Sequence, residues 1–330
     1  MPVDTRVVIT DCDHADIEPE TKVATDRGLE LVLAQARTPD EVVAAAADAD
    51  AIVVQYAPIT DDVLARLPRL RAIGRSGVGV DTVDVTAATA RGIAVCNVPD
   101  YGTDDVSDHA IALAVSLARG IVRLDRGVRA GIFGLEQVKP LHRISTRTFG
   151  VLGLGRIGRA TARKAHSLGY TVLGSDPLHP PGGTVDGIAV VSPDDLLGGS
   201  DVVSLHVPLG ADTHHLIDGA ALARMRPGAV LVNTCRGGVV DTAALVDALR
   251  TGRLAGAGLD VFESEPLPAD SPLLRLSTVV LTPHAAWYSA ESYRELKRRV
   301  LENVADVCAG RRPRDMVNPE VLEAGRDGAR

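Results

Sequence analysis

Aromatic side chains are scarce in this chain: its 330 residues include one Trp, three Phe and five Tyr. Any core must therefore be built from Ala, Val, Leu and Ile. Cysteine is sparse too. Cys12, Cys96, Cys235 and Cys308 are widely scattered, with no CxxC pair and no zinc spacing. That excludes a disulfide scaffold and predicts reduced thiols and no metal site. No apolar run approaches ~18 residues, so no membrane span is expected. Positive charge is not in excess, because 35 Lys and Arg face 43 Asp and Glu for a net charge of −8. A global field attracting nucleic acid or anionic lipid is thereby excluded. The N-terminus turns acidic by residue 4 with no charged-then-apolar signal pattern, and a cytoplasmic protein is the expectation. There is no short-period repeat and no low-complexity tract, and the final EAGRDGAR reads as a polar tail.

What is present is an ordinary globular balance, 45 % apolar and 24 % charged, in a length that suits two domains. Short Val- and Ile-rich runs alternate with helical patterns. RVVITDC (6–12), AIVVQYA (51–57), LRAIGRSG (70–77) and IAVCNVP (93–99) read as strands. TPDEVVAAAADAD (38–50), TDDVLARLP (60–68) and VDVTAATARG (83–92) read as helices. Thr38 suits an N-cap, with Pro39 in the first helical position. A long helix is predicted over 103–131, with Val106, Ala110, Leu113, Leu117, Ile121 and Leu124 spaced by 3 or 4. A second series of strands follows at 149–154, 170–176, 201–207, 229–235, 256–262 and 278–284, and then a helix over 290–310. Continuous rather than alternating apolar runs indicate strands covered on both faces, as in parallel sheets with crossover helices. The fold class expected is therefore α/β, with two parallel-sheet units in series.

Gly153-Leu154-Gly155-Arg156-Ile157-Gly158 lies between a predicted strand and a helical pattern. In a nucleotide-binding turn, Gly153 permits the tight turn and Gly155 lets the backbone approach a pyrophosphate. Gly158 allows close helix–strand packing, and the helix N-terminus supplies N–H donors. The next strand ends in Asp176, whose carboxylate could accept the ribose hydroxyls of NAD and would repel the 2′-phosphate of NADP. No Arg or Lys follows at 177–180 to hold that phosphate. In the first unit, the glycines of Arg75-Ser76-Gly77-Val78-Gly79-Val80-Asp81 could turn successive N–H groups toward an anion.

Arg236, Glu265 and His284 each follow a predicted strand of the second unit. Each alone has a plain structural reading, as a turn residue, a surface acid and a packing imidazole. The ends of parallel strands converge on one edge, so the three can meet there. Reducing a 2-oxo acid needs a hydride for the carbonyl carbon and a proton for its oxygen. An imidazolium can give the proton, a carboxylate can orient it, and an Arg fork can grip the substrate carboxylate and carbonyl.

These motifs together resemble the D-isomer-specific 2-hydroxyacid dehydrogenase family. GLGRIGRA with Asp176, NTCRGGVVD, AGLDVFESEP, TPHAAWYS, RSGVGVDTVDV and VNPEV carry the resemblance over nearly the whole chain. GIAVCNVP, HHLI and HAAWYS look closest to the C-terminal-binding-protein branch. The resemblance implies a Rossmann-type NAD-binding domain over 103–290. It also implies a flavodoxin-like substrate domain from 1–102 and 291–330. Arg236 would bind substrate, with His284 as acid/base and Glu265 as its partner, in a cleft between the two lobes. Gly155, Arg156, Ile157 and Asp176 would hold the cofactor's phosphates and ribose. Thr234, Cys235 and Asp260 would line the nicotinamide end, and His206, Val207 and Pro208 the adenine side. Ser76, Val78 and Gly79 would approach substrate. A homodimer through the nucleotide domain is implied as well. Trp287 is expected to wall the substrate pocket and favour a bulky or apolar side group. The alternative is an NADH-sensing corepressor-like binding protein with little turnover.

Overall fold

The computed structural model describes residues 5–13 and 16–322. The polar tail expected at 323–330 and the first residues of the N-terminus lie outside the described residues. The described residues form two compact units, one within 5–101 and 289–322 and the other over 102–288.

The first unit runs β1 (Arg6–Ile9), α1 (Glu18–Arg27), β2 (Glu30–Leu33), α2 (Pro39–Ala46), β3 (Ala51–Val54), α3 (Asp61–Ala65), β4 (Ala72–Arg75), α4 (Val85–Ala90) and β5 (Ala94–Cys96). All its strand pairs are parallel, in the order β2-β1-β3-β4-β5. This is the flavodoxin-like order of doubly wound sheets. β3 and β4 are buried at every position, as continuous apolar runs in a covered sheet require. Thr38 and Glu41 close a reciprocal capping box at the start of α2. The C-terminal helix, Ala290–Cys308, belongs to this unit. Beyond it, the Asn318 side chain accepts the Val95 N–H at 2.7 Å and donates to Ile93 O at 2.9 Å, tying the VNPEV segment to β5. The sequence reading did not separate α1 and β2, since both are polar or half-exposed edge elements.

The second unit opens with α5 (Thr103–Ala118) and α6 (Ile121–Arg129). The single helix expected over 103–131 is thus two helices. Gly120 takes a left-handed conformation (φ 62°) and breaks the run, although the apolar spacing continues through it. The rest is β6 (Thr148–Leu152), α7 (Arg156–Ser167), β7 (Thr171–Ser175), β8 (Thr184–Val185), β9 (Ile188–Val190), α8 (Pro193–Gly199), β10 (Val202–Leu205), α9 (Gly219–Arg224), β11 (Ala229–Asn233), α10 (Thr242–Arg250), β12 (Leu254–Leu259) and β13 (Val279–Leu281). The sheet order is β13-β12-β11-β10-β6-β7-β9-β8, parallel except for the β8–β9 hairpin. Strand order reverses between β6 and β10, and such a switch point is where α/β sheets bind ligands. Among the described residues no helix is long and apolar enough to cross a membrane.

Candidate active site

The turn after β6 is the first feature of the carboxyl edge. Gly153 has φ 96°, and a Cβ there would stand 2.4 Å from His206 O. A Cβ on Gly158 would stand 1.9 Å from Gly153 O. Any side chain at either position would force β6, α7 and the end of β10 apart. A Cβ at Gly155, by contrast, would meet nothing within 4 Å. Gly155 is the N-cap of α7 and provides no side-chain cap, so the first-turn N–H groups open onto that space. Arg156 is exposed there and Ile157 half-buried.

Asp176 follows β7. Its Oδ2 accepts the Leu154 N–H at 2.7 Å and its Oδ1 the Leu178 N–H at 2.9 Å. The carboxylate is thereby fixed beside the glycine turn, and each oxygen keeps a lone pair for a further donor. After β10 comes His206, whose Nε2 lies 2.9 Å from Ser204 Oγ. The residue keeps some accessible surface, yet burial of its imidazole pushes the pKa down to about 3, so it is neutral. Val207 is half-buried and Pro208 exposed.

After β11 the chain makes a turn built by Asn233, a residue the sequence reading passed over. Asn233 Nδ2 donates to Arg236 O at 2.8 Å, and its Oδ1 accepts the Cys235 N–H at 3.0 Å. The only sequence signal was an Asn at a strand end, a common turn former. Burial raises the Cys235 thiol above its usual range, so it is not a thiolate nucleophile. Thr234 is 8 % exposed, and its Oγ1 is buried with no hydrogen-bond partner among the described residues. That orphaned hydroxyl, with the open space over Gly155 and the fixed carboxylate of Asp176, fits a dinucleotide along this edge.

Gly237 follows Arg236, and a Cβ there would fall 1.8 Å from the carbonyl carbon of Phe262. The Arg236 turn and the loop after β12 therefore touch backbone to backbone. In that loop the Glu265 Oε1 accepts the Phe262 N–H at 2.9 Å, and Oε2 meets His284 Nδ1 at 2.7 Å. Burial alone would raise the Glu265 carboxyl. The hydrogen bond and charge of His284, the Phe262 N–H and the charge of Arg236 outweigh it and hold Glu265 below its ordinary 4.5. Arg236, Glu265 and His284 are thus assembled at one place.

The loop carrying His284 is shaped by Asp260, which is 0 % exposed. Its Oδ1 accepts the Thr282 hydroxyl at 2.6 Å and the Ala285 N–H at 2.9 Å, and its Oδ2 the Ala286 N–H at 2.9 Å. His109 Nε2 meets Thr282 Oγ1 at 2.9 Å. The carboxylate expected at the nicotinamide end also fastens the His284 loop, through two backbone N–H groups and the Thr282 hydroxyl. His284 itself has φ 53°, a conformation non-glycine residues seldom adopt. Its own N–H donates to Asp260 O at 2.7 Å. Trp287, half-buried beyond the loop, stacks edge-on to Tyr288 at 5.6 Å.

In the first unit, the turn after β4 is narrower as an anion nest than the sequence suggested. The Ser76 N–H donates to Val54 O and the Gly77 N–H to Arg75 O, both already satisfied. Val78 and Gly79 remain, with Val78 O held by Asn97 Nδ2 at 2.7 Å. Val78 is 39 % exposed.

The depressed Glu265 pKa has a sign that can be tested. A carboxyl held below its unfolded value keeps its pairing above that value and loses it only as pH falls through the folded one. The kcat/KM profile should therefore show no loss assignable to Glu265 above pH 4.5. An acid limb between about pH 5 and pH 6 that vanishes in Glu265→Gln would refute this.

Comparison with known proteins adds the lineage. Residues 111–286 match the family model described as D-isomer specific 2-hydroxyacid dehydrogenase, NAD binding domain. A glyoxylate reductase of Korarchaeum cryptofilum is 42 % identical over 286 residues, covering 85 % of this chain and 86 % of that protein. A D-3-phosphoglycerate dehydrogenase of Mycobacterium leprae is 42 % identical over 280 residues; 84 % of this chain matches 53 % of that protein. The chain thus spans about half of that longer relative. A solved D-lactate dehydrogenase of Aquifex aeolicus, complexed with NAD and lactic acid, superposes with a TM-score of 0.83 at 29 % identity, covering 96 % of this chain and 98 % of that one. The corepressor reading finds no support in these relatives.

Proposed function

Because the chain belongs to the D-isomer-specific 2-hydroxyacid dehydrogenases, NAD-dependent oxidoreductases acting on a CH–OH group, we propose that it interconverts a small 2-oxo acid and its D-2-hydroxy acid through His284, Glu265 and Arg236. The observation that carries this reading is the 2.7 Å contact of Glu265 with His284, within the charge of Arg236. These groups lie on the same sheet edge as the open glycine turn. A bound nicotinamide supplies the hydride for the carbonyl carbon. Arg236 grips the substrate carboxylate and carbonyl oxygen in a planar fork and stabilises the charge that develops on that oxygen. Glu265 engages Nδ1 of His284 and orients the ring, so that Nε2 delivers the proton to the alkoxide oxygen. In the oxidative direction His284 takes that proton back.

Asp176 sets the cofactor. Its fixed negative charge accepts ribose hydroxyls and repels a 2′-phosphate. Fluorescence titration should give NADPH a Kd at least about tenfold above that of NADH. Equal affinities would remove the assignment. Turnover is tested by NADH consumption with a panel running from glyoxylate and hydroxypyruvate to longer 2-oxo acids, since a Trp287 wall would favour a bulky or apolar side group. No consumption with any member of the panel would overturn the proposed activity.

The partner proposed is a second copy. Five of the exposed large apolar side chains, Ile121, Val128, Ile132, Phe133 and Leu135, fall within residues 121–135, and Phe133 is 96 % exposed. Such a concentration supports an interface over a solvated face. Light scattering should report twice the 34.5 kDa chain mass, and Ile132→Asp/Phe133→Asp should shift it to the single-chain value. A wild-type protein that stays monomeric at assay concentration would refute the dimer.

A further inference from the structure

A second histidine–carboxylate pair lies beside the first. His215 Nε2 meets Glu263 Oε1 at 2.5 Å, and the other oxygen of Glu263 accepts the N–H of Thr242 at 2.9 Å, at the start of α10. His215 also donates its own N–H to Gly238 O at 2.8 Å, and its ring stacks on His214 at 4.0 Å. Three segments therefore meet at Glu263. They are the loop after β10, the turn that runs from Arg236 to Thr242, and the loop that carries Glu265 two residues further on. The N–H of Glu263 lies against Gly237, where a Cβ would approach it to 2.4 Å.

Two facts argue that this pair does more than decorate the surface. His215 holds a left-handed backbone, φ 51°, which costs a non-glycine residue free energy and persists only when its surroundings over-determine it. Both oxygens of the Glu263 carboxylate are used, and they fasten the loop after β10 and the turn running from Arg236 to Thr242 to the loop of Glu265. The side chains are 36 % and 33 % exposed, so as an ion pair they add little to global stability. Their effect must lie in placement. Misplacing a catalytic group by an ångström costs orders of magnitude in rate even where stability barely changes.

We propose that His215 and Glu263 form a positioning latch that holds the Arg236 turn and the Glu265 loop at the separation the reaction requires. The inference rests on the catalytic roles proposed above for Arg236 and Glu265. Neither latch residue is assigned contact with substrate.

The test compares wild type with Glu263→Ala, Glu263→Gln and His215→Asn. Asparagine tolerates the left-handed backbone but is too short to reach Glu263. With the 2-oxo acid that wild type reduces fastest, Glu263→Ala should lose about tenfold or more in kcat and raise KM for that acid, while NADH affinity stays within about twofold. His215→Asn should reproduce this pattern, and the double variant should be no worse than either single one. Glu263→Gln keeps an acceptor for the Thr242 N–H and a polar partner for His215, and should recover most of the rate. Wild-type kcat and KM in Glu263→Ala, whatever its melting temperature, would overturn the latch. A glutamine variant as slow as the alanine variant would overturn it too, since charge rather than attachment would then carry the effect. Hydrogen exchange supplies a readout independent of turnover. Residues 236–242 and 261–266 should lose protection in Glu263→Ala while β11 keeps it, and unchanged exchange there counts against the latch. If wild type reduces no 2-oxo acid but Glu263→Ala still shows this exchange pattern, the attachment stands and the proposed activity is discarded.

Discussion

His284→Ala should lower kcat by about two to four orders of magnitude while leaving NADH affinity within about twofold. The two halves of this result have separate causes. In the proposed mechanism the proton for the carbonyl oxygen comes from an imidazole 2.7 Å from a carboxylate held below its ordinary range. Removing the ring leaves only water to supply that proton. The proposed cofactor contacts lie elsewhere, on the turn after β6, on Asp176 and on the strand ends of β10 and β11, none of which the substitution touches. Residue 284 has φ 53°, so alanine there carries some backbone strain. His284→Asn, which tolerates that conformation, is the control. Both variants should be equally inactive. Rapid turnover in either, with substrate bound normally, removes His284 from the proton's path.

Gly237→Ala should be almost as damaging, although it removes no functional group. The added methyl would have to occupy a place 1.8 Å from one backbone atom and 2.0 Å from another in Phe262. No side chain can swing away to relieve this, because the obstacle is main chain on both sides. The Arg236 turn and the Glu265 loop must separate by an ångström or more. A shift of that size at reacting groups costs about 10²-fold in rate. The expected signature is a fall in kcat/KM of at least about that size, with a lowered melting temperature. Gly155→Ala provides the contrast, since the methyl enters open space and the fold should be untouched. Its loss should appear in NADH affinity alone. If Gly237→Ala kept wild-type kinetics, the backbone contact that joins the two catalytic segments would have no role in the reaction.

The two glycine positions also mark how far the residues speak for themselves. The strand–turn–helix around Gly155, with Asp176 beside it, was legible because such a turn is a local device within one βαβ unit. Gly237 was legible only as half of a Gly-Gly pair. Its reason is the backbone of Phe262, 25 residues away. Asn233 and Asp260 illustrate the same limit. Each is a polar residue at a strand end, and pattern alone suggests a ligand contact as readily as a scaffold. The hydrogen bonds show the scaffold: Asn233 fastens the turn of Arg236, and Asp260 gathers the N–H groups and hydroxyl of the His284 loop. His109 joins that loop from a helix some 170 residues earlier, with no signal in the sequence that it would. The helix expected over 103–131 failed for a related reason. Apolar spacing fixes which face is buried, but the break at Gly120 is a backbone choice that spacing does not record.

The amino-acid order by itself determined the alternation of strands and helices, the parallel sheets, the glycine turn and the three side chains able to move a proton and hold an acid. Those follow from periodicity, turn chemistry and residue type, which act over a few residues at a time. Only the tertiary structure decided that Glu265 faces Nδ1 of His284, that Asp260 serves the loop, and that Glu263 ties three segments together. These depend on where strand ends converge, and convergence is set by the packing of the whole sheet.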